Sequence, residues 1–160
     1  MPFVRVSLKS VISKPYDFEP NSLGEHLKKK RLQIGLFQKD VADLIGVCEA
    51  TILHWEKSTT EPPIAFLPPI LEFLGYDPFP LPMTLSQHLI ATRRENGWSI
   101  KEAAVAVGVD PSTWGNWERG GTILLRKHRA AIAELLDVSL NTLDKQMVAR
   151  WGRLHKQAQF

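Results

Sequence analysis

Residues 38–57 read QKDVADLIGVCEATILHWEK, and 62 positions later residues 100–119 read IKEAAVAVGVDPSTWGNWER. Each stretch holds two short segments of helical spacing parted by a glycine–valine pair, Gly46-Val47 and Gly108-Val109. Glycine is the residue that ends a helix in the left-handed conformation at no steric cost. The first stretch therefore predicts a helix from about Gln38 to Ile45. A second follows from near Cys48, with Ile52 and Trp55 on one side. In the second stretch Ser99 stands three residues before Glu102, the spacing of a capping box. Asp110-Pro111 then opens the next helix, because the acid caps free amides and the imino acid suits the first turn. Trp114 and Trp117 occupy the inner spacing there, where tryptophan is expected in a core rather than stacked on a ligand.

The offset of 62 extends well beyond these stretches. Leu23 to Asp77 falls on Leu85 to Ser139 without a gap, with sixteen identities in 55 positions. Among them are Leu27/Leu89, Arg31/Arg93, Gly35/Gly97, Lys39/Lys101, Trp55/Trp117 and Glu56/Glu118. An internal repeat must be read before any fold is argued. Two copies of this size are two small domains, each near the lower limit for independent stability. Each copy opens with a further capping signal, Ser22 before Glu25 and Thr84 before Gln87. A fourth helix is expected over about 64–74, matched by 126–136.

The segments are accordingly a leader (1–20), a first domain (21–77), a proline-rich linker (78–83), a second domain (84–139) and a tail (140–160). In the leader Val4, Val6 and Leu8 alternate with polar residues, the period of a strand. Pro78, Pro80 and Pro82 make the linker short and stiff. In the tail Leu140, Leu143, Met147, Trp151 and Leu154 recur at spacings of three and four, the stripe of an amphipathic helix. The expected class is all-α, with a short extended N-terminal leader and a C-terminal helix.

Two short helices joined by a glycine turn, the second with a free polar side, form a helix-turn-helix whose second helix fits the major groove. Charge points the same way. The net formal charge is +3, but residues 21–77 carry 6 basic and 8 acidic side chains while residues 78–160 carry 11 and 7. A basic second half suits a polyanion, and also a solvated surface. The Lys28-Lys29-Lys30-Arg31 run reads as a solvated helix face or a phosphate contact. One cysteine, Cys48, excludes an internal disulfide and fits a reducing compartment. No signal-like segment and no apolar run near 18 residues is present, so a cytoplasmic protein away from membranes is expected. His26 and His88 recur without ligand spacing, and no zinc pattern, phosphate-binding glycine loop or nucleophile–base set occurs. No metal, no cofactor and no enzymatic activity are expected.

The residues Gln38 to Val47, Thr51-Ile52 and Trp55-Glu56-Lys57, with Ala104, Gly108 to Thr113 and Trp117 to Gly120 in the second copy, resemble the lambda repressor and Cro family, also called XRE-type. The resemblance covers about 110 residues and leaves leader and tail outside. It implies a tandem lambda-repressor-like fold, double-stranded DNA as partner and transcription regulation as activity. Residue by residue, it implies that Gln38 touches a phosphate or adjacent base, and that Cys48, Glu49, Ala50 and His54 face the groove. Thr51 and Lys57 would lie near the backbone. In copy two it assigns Asp110, Pro111, Ser112 and Asn116 to the groove, with Thr113 and Arg119 alongside. It also implies that Arg31 pairs with Glu56, and Arg93 with Glu118, bracing the first helix of each copy on the third.

Glu49 suits either a cytosine amino group or simply the positive end of its helix. Four departures stand out. Ile100 replaces Gln38 in copy two, Phe37 takes a capping position, Leu53 sits on the free face, and Ser58 to Glu61 lacks basic residues. Copy one thus reads as base-reading with little backbone grip, whereas copy two offers Arg119, Arg126, Lys127 and Arg129. The expected function is a regulator whose fused domains read two unlike half-sites. The alternative is an adaptor that keeps the fold without DNA. Homodimerisation through leader or tail stays open.

Overall fold

The computed structural model describes residues 16–121 and 124–139. Of the expected leader (1–20), residues 1–15 with the strand pattern at Val4, Val6 and Leu8, together with the expected tail helix (140–160), lie outside the described residues. These form α1 (Leu23–Gln33), α2 (Gln38–Ile45), α3 (Glu49–Glu56), α4 (Leu67–Leu74), α5 (Leu85–Glu95), α6 (Ile100–Val107), α7 (Pro111–Glu118) and α8 (Arg129–Leu135). No strand occurs among the described residues, and no helix there is long and apolar enough to cross a membrane.

The chain divides into two compact units between Glu61 and Pro62. The first unit holds α1 to α3. Ser22 caps α1 by accepting the Glu25 amide at 3.2 Å, but the Glu25 carboxylate reaches one residue further than a standard box and takes the Asn21 amide at 2.6 Å. Leu27, Val41 and Ile52 are completely buried and Trp55 nearly so, forming the inner faces of the three helices. The approach of α1 to α3 is set by Gly24, since a Cβ there would stand 1.7 Å from the Trp55 carbonyl oxygen. Lys28 and Lys29 lie within 5.8 and 6.0 Å of the Phe18 ring, and Lys29 also pairs with Glu19 at 3.7 Å. Two of the four basic residues of the run thus face the chain segment that enters α1.

The second unit repeats the plan with α5, α6 and α7, closed by α8. Its core is Leu89, Ala103, Ala104, Trp114, Trp117, Leu124, Ile132 and Ala133. Thr84 and Ser99 both form complete capping boxes, with Gln87 and Glu102. Here Ser86 takes the place of Gly24, and its hydroxyl donates to the Trp117 carbonyl at 2.9 Å. One close approach has been built twice, by bare backbone and by a hydrogen bond.

The fourth helix of each copy starts later than its apolar pattern. Ile64–Phe66 and Arg126–His128 each form a single 3-10 turn before α4 and α8. In the first of these, Pro68 and Pro69 follow after Leu67 and supply no amides to the Ile64 and Ala65 carbonyls for a regular ladder. Although its sequence aligns with copy one, α4 clusters with the second unit. It packs there on α5: Pro68 and the Ala65 carbonyl sit 3.1–3.3 Å from where a Cβ on Gly97 would stand, and Gly97 has φ +66°. The linker is pinned as well, by Arg94 lying 3.7 Å over the Phe79 ring.

Candidate nucleic-acid interface

In both units the same turn presents the second helix of the pair. Gly46 and Gly108 adopt φ +83° and +72°, and the amides of Val47 and Val109 return to Ala42 and Ala104 at 3.0 and 2.9 Å. The chain is then extended for one residue, Cys48 or Asp110, before α3 or α7 begins.

On α3 the exposed positions are Cys48 (the cap), Glu49, Ala50 and His54, followed by Lys57; Thr51 and Leu53 are half-buried. Leu53, expected on the free side, therefore lies partly against the body. Cys48 makes no side-chain cap bond. Its Sγ is 3.0 Å from Thr51 Oγ1, and that hydroxyl holds the thiol below its ordinary pKa. Phe37, at the cap of α2, is exposed, and only the reciprocal half of the box exists, with Asp40 accepting the Phe37 amide at 2.7 Å. On α7 the exposed positions are Asp110, Pro111, Ser112, Asn116 and Arg119, with Thr113 half-buried. Asp110 caps the helix by accepting the Ser112 amide at 2.8 Å and the Ser112 hydroxyl at 2.6 Å. The serine keeps the carboxyl below its usual range. Arg119 Nη2 donates to Asn116 Oδ1 at 2.7 Å.

Behind each recognition helix stands an ion pair. Arg31 donates through Nε and Nη2 to the two carboxylate oxygens of Glu56, at 2.5 and 2.8 Å, and through Nη1 to the Leu36 carbonyl. Arg93 does the same to Glu118, at 2.6 and 3.1 Å, and to Trp98. The pair in copy one is the more deeply buried, with side chains 11% and 2% exposed against 16% and 9% in copy two. Two-pronged geometry suits Arg and no other cation.

Each carboxylate has a third donor, and here the copies differ. In copy one Gln38 Nε2 donates to Glu56 at 2.8 Å, so the amide that the resemblance directs at DNA is engaged inside the motif. In copy two Ile100 replaces Gln38, and the Trp114 indole N–H donates to Glu118 at 2.7 Å. Trp114 aligns with Ile52. The two differences are therefore one exchange: Gln with Ile in copy one, Ile with Trp in copy two. From the sequence alone Ile100 is a lost polar contact, and the indole that takes over has no local mark. The signal lay in reading positions 38 and 52 jointly against 100 and 114.

Each recognition helix ends on a cation, Lys57 or Arg119, but only copy two carries further basic residues beyond it. Arg126 and Lys127 are exposed on the 3-10 turn whose copy-one counterparts are Ile64 and Ala65. No group of three His, Cys, Asp or Glu able to hold a metal gathers among the described residues.

Comparison with known families gives two matches: a helix-turn-helix model over residues 27–81 and a helix-turn-helix domain model over 84–151. The first includes α4, and the second runs past α8 into the segment read as the tail. No curated protein and no solved structure matches the chain significantly.

Proposed function

The chain is a tandem helix-turn-helix protein of the lambda repressor/Cro (XRE) type, a DNA-binding regulator, and from that premise we propose that it reads two unlike half-sites of one duplex. Cys48, Glu49, Ala50 and His54 face one stretch of major groove, with Thr51 and Lys57 beside the backbone. Asp110, Pro111, Ser112 and Asn116 face another, with Thr113 and Arg119 alongside. Gln38 acts mainly through Glu56, fixing the start of α2. One observation carries the reading: in both units the outer positions of the recognition helix are exposed, while its inner face is buried and locked by the arginine–glutamate pair.

Covalent linkage replaces dimerisation, because two recognition helices already belong to one chain; half-sites one helical turn apart are separated by about 34 Å. The outward residues differ at every aligned position except Thr51/Thr113, so the site is not a palindrome. Grip is unequal too. Arg126 and Lys127 hold phosphates beside the second half-site, where copy one has apolar side chains.

Selection of binding sequences from a random pool tests this directly. An asymmetric bipartite consensus is expected, and a palindromic one, or none, refutes the reading. Replacing Arg126 and Lys127 by alanine should lower the slope of log affinity against log salt by about 2, one per phosphate contact. Sedimentation of the free protein should give a monomer.

A further inference from the structure

We infer that Gly115 is a specificity-determining position: by leaving the outer side of α7 bare, it lets Arg119 fold back onto Asn116, and together these two side chains select guanine over adenine. The inference deepens the DNA-reading function proposed above and rests on it. Gly115 is the fifth residue of an eight-residue helix, where glycine weakens the helix relative to alanine. Nothing in the backbone asks for it, since its φ lies outside the left-handed region. What occupies the space is the guanidinium of Arg119. Its Nη1, Nη2 and Cζ lie 3.2, 3.5 and 3.7 Å from where a Cβ on Gly115 would stand. Gly115 is buried although Asn116 and Arg119, which follow it on the helix, are exposed.

From that place Arg119 Nη2 donates to Asn116 Oδ1 at 2.7 Å. A guanidinium has donors only, so the amide must present its oxygen to it. Asparagine reads adenine through both halves of its amide, accepting from N6 and donating to N7. With its acceptor engaged, Asn116 retains only N–H groups to offer, and Arg119 keeps four of its five. A surface made of donors matches the two acceptors of guanine, O6 and N7, and repels the N6 amino group of adenine. Copy one has Leu53 and Lys57 at these places, a side chain that fills the space and a cation without a fork. Arg119, which the resemblance sets beside the backbone, thus becomes a base reader in copy two alone.

Sequence selection with the full chain and its R119A, R119K and G115A variants, accompanied by thermal melts and salt titrations, tests the inference. The wild type should require guanine at one position of the second half-site. R119A frees the Asn116 oxygen, so the preference there should move to adenine, with affinity for the guanine site falling roughly 5- to 150-fold, the range one bidentate contact supplies. R119K should keep the salt slope and lose the guanine preference. G115A should melt at or above the wild-type temperature yet weaken that preference in part, because its Cβ pushes the guanidinium back from its seat by a few tenths of an ångström. R119A weakening all sequences alike, or G115A leaving the consensus intact, would overturn the inference while leaving DNA reading in place. A wild type that enriches no sequence overturns DNA reading itself, and this inference with it.

Discussion

Consider the removal of one carboxylate, Glu56→Ala. The side chain is 2% exposed and accepts from three donors, two on Arg31 and one on Gln38. Its loss leaves Arg31, 11% exposed, with only the Leu36 carbonyl as partner, and orphans the Gln38 amide as well. Stripping one partner from a buried ion pair costs about 3–5 kcal/mol. A domain of some 55 residues has a total stability of about 3–8 kcal/mol at the usual value per residue. The expected outcome is a first unit largely unfolded at 25 °C beside a folded second unit. The indole resonances of an isotope-labelled protein report each unit separately: Trp55 lies in the first, Trp98, Trp114 and Trp117 in the second. In the variant the Trp55 signal should move to its unfolded position while the Trp114 and Trp117 signals stay. The double variant R31M/E56L, which removes both charges and refills the volume, should recover the folded signal, since apolar replacement of a buried pair is often neutral or stabilising. A folded Trp55 signal with a loss below about 1 kcal/mol would refute the argument that this pair secures the first unit.

Trp114→Phe keeps a ring in the core and removes the indole donor to Glu118, so the second unit should lose about 1–3 kcal/mol in urea unfolding. Adding Ile100→Gln restores a donor from the position used in copy one and should return part of that loss. Gly24→Ser forces α1 away from the Trp55 carbonyl and should destabilise by at least about 1–3 kcal/mol, whereas Ser86→Ala, at the same place in copy two, should cost only about 0.5–1.5 kcal/mol by denaturant titration. The Asp110 carboxyl is held below its usual pKa by Ser112, so its stabilising effect is present above the carboxylate range and disappears as pH falls through the lowered value. The melting-temperature gap between wild type and Asp110→Ala should therefore narrow in acid, and a gap independent of pH would contradict this.

Helix order and helix edges were legible in the sequence because local signals fix them. The glycines after α2 and α6, the Ser99 and Thr84 boxes and Asp110-Pro111 each act within a few residues. The exposed faces of α3 and α7 were legible for the same reason, since helical spacing separates Ile52 and Trp55 from Ala50 and His54. Less was readable where partners are distant in sequence. Trp114 read simply as a core residue, and only its contact with Glu118 shows why Ile100 can stand where Gln38 does. Leu53 was expected outside, yet the width of the buried stripe on α3 draws it half inside. The association of α4 with α5 through Gly97 has no local signature at all; Gly97 reads only as a helix stop.

The paired exchange at the two carboxylates sets the smallest piece that can be moved between the copies. Grafting residues 111–118 alone onto the first unit would bring an indole to a carboxylate already served by Gln38, adding a fourth donor to it and placing a larger ring in the space of Ile52. Carrying residues 100–118 together transfers the donor and the vacancy it requires. Engineering of hybrid readers from this chain should therefore treat two helices, not one, as the interchangeable cassette.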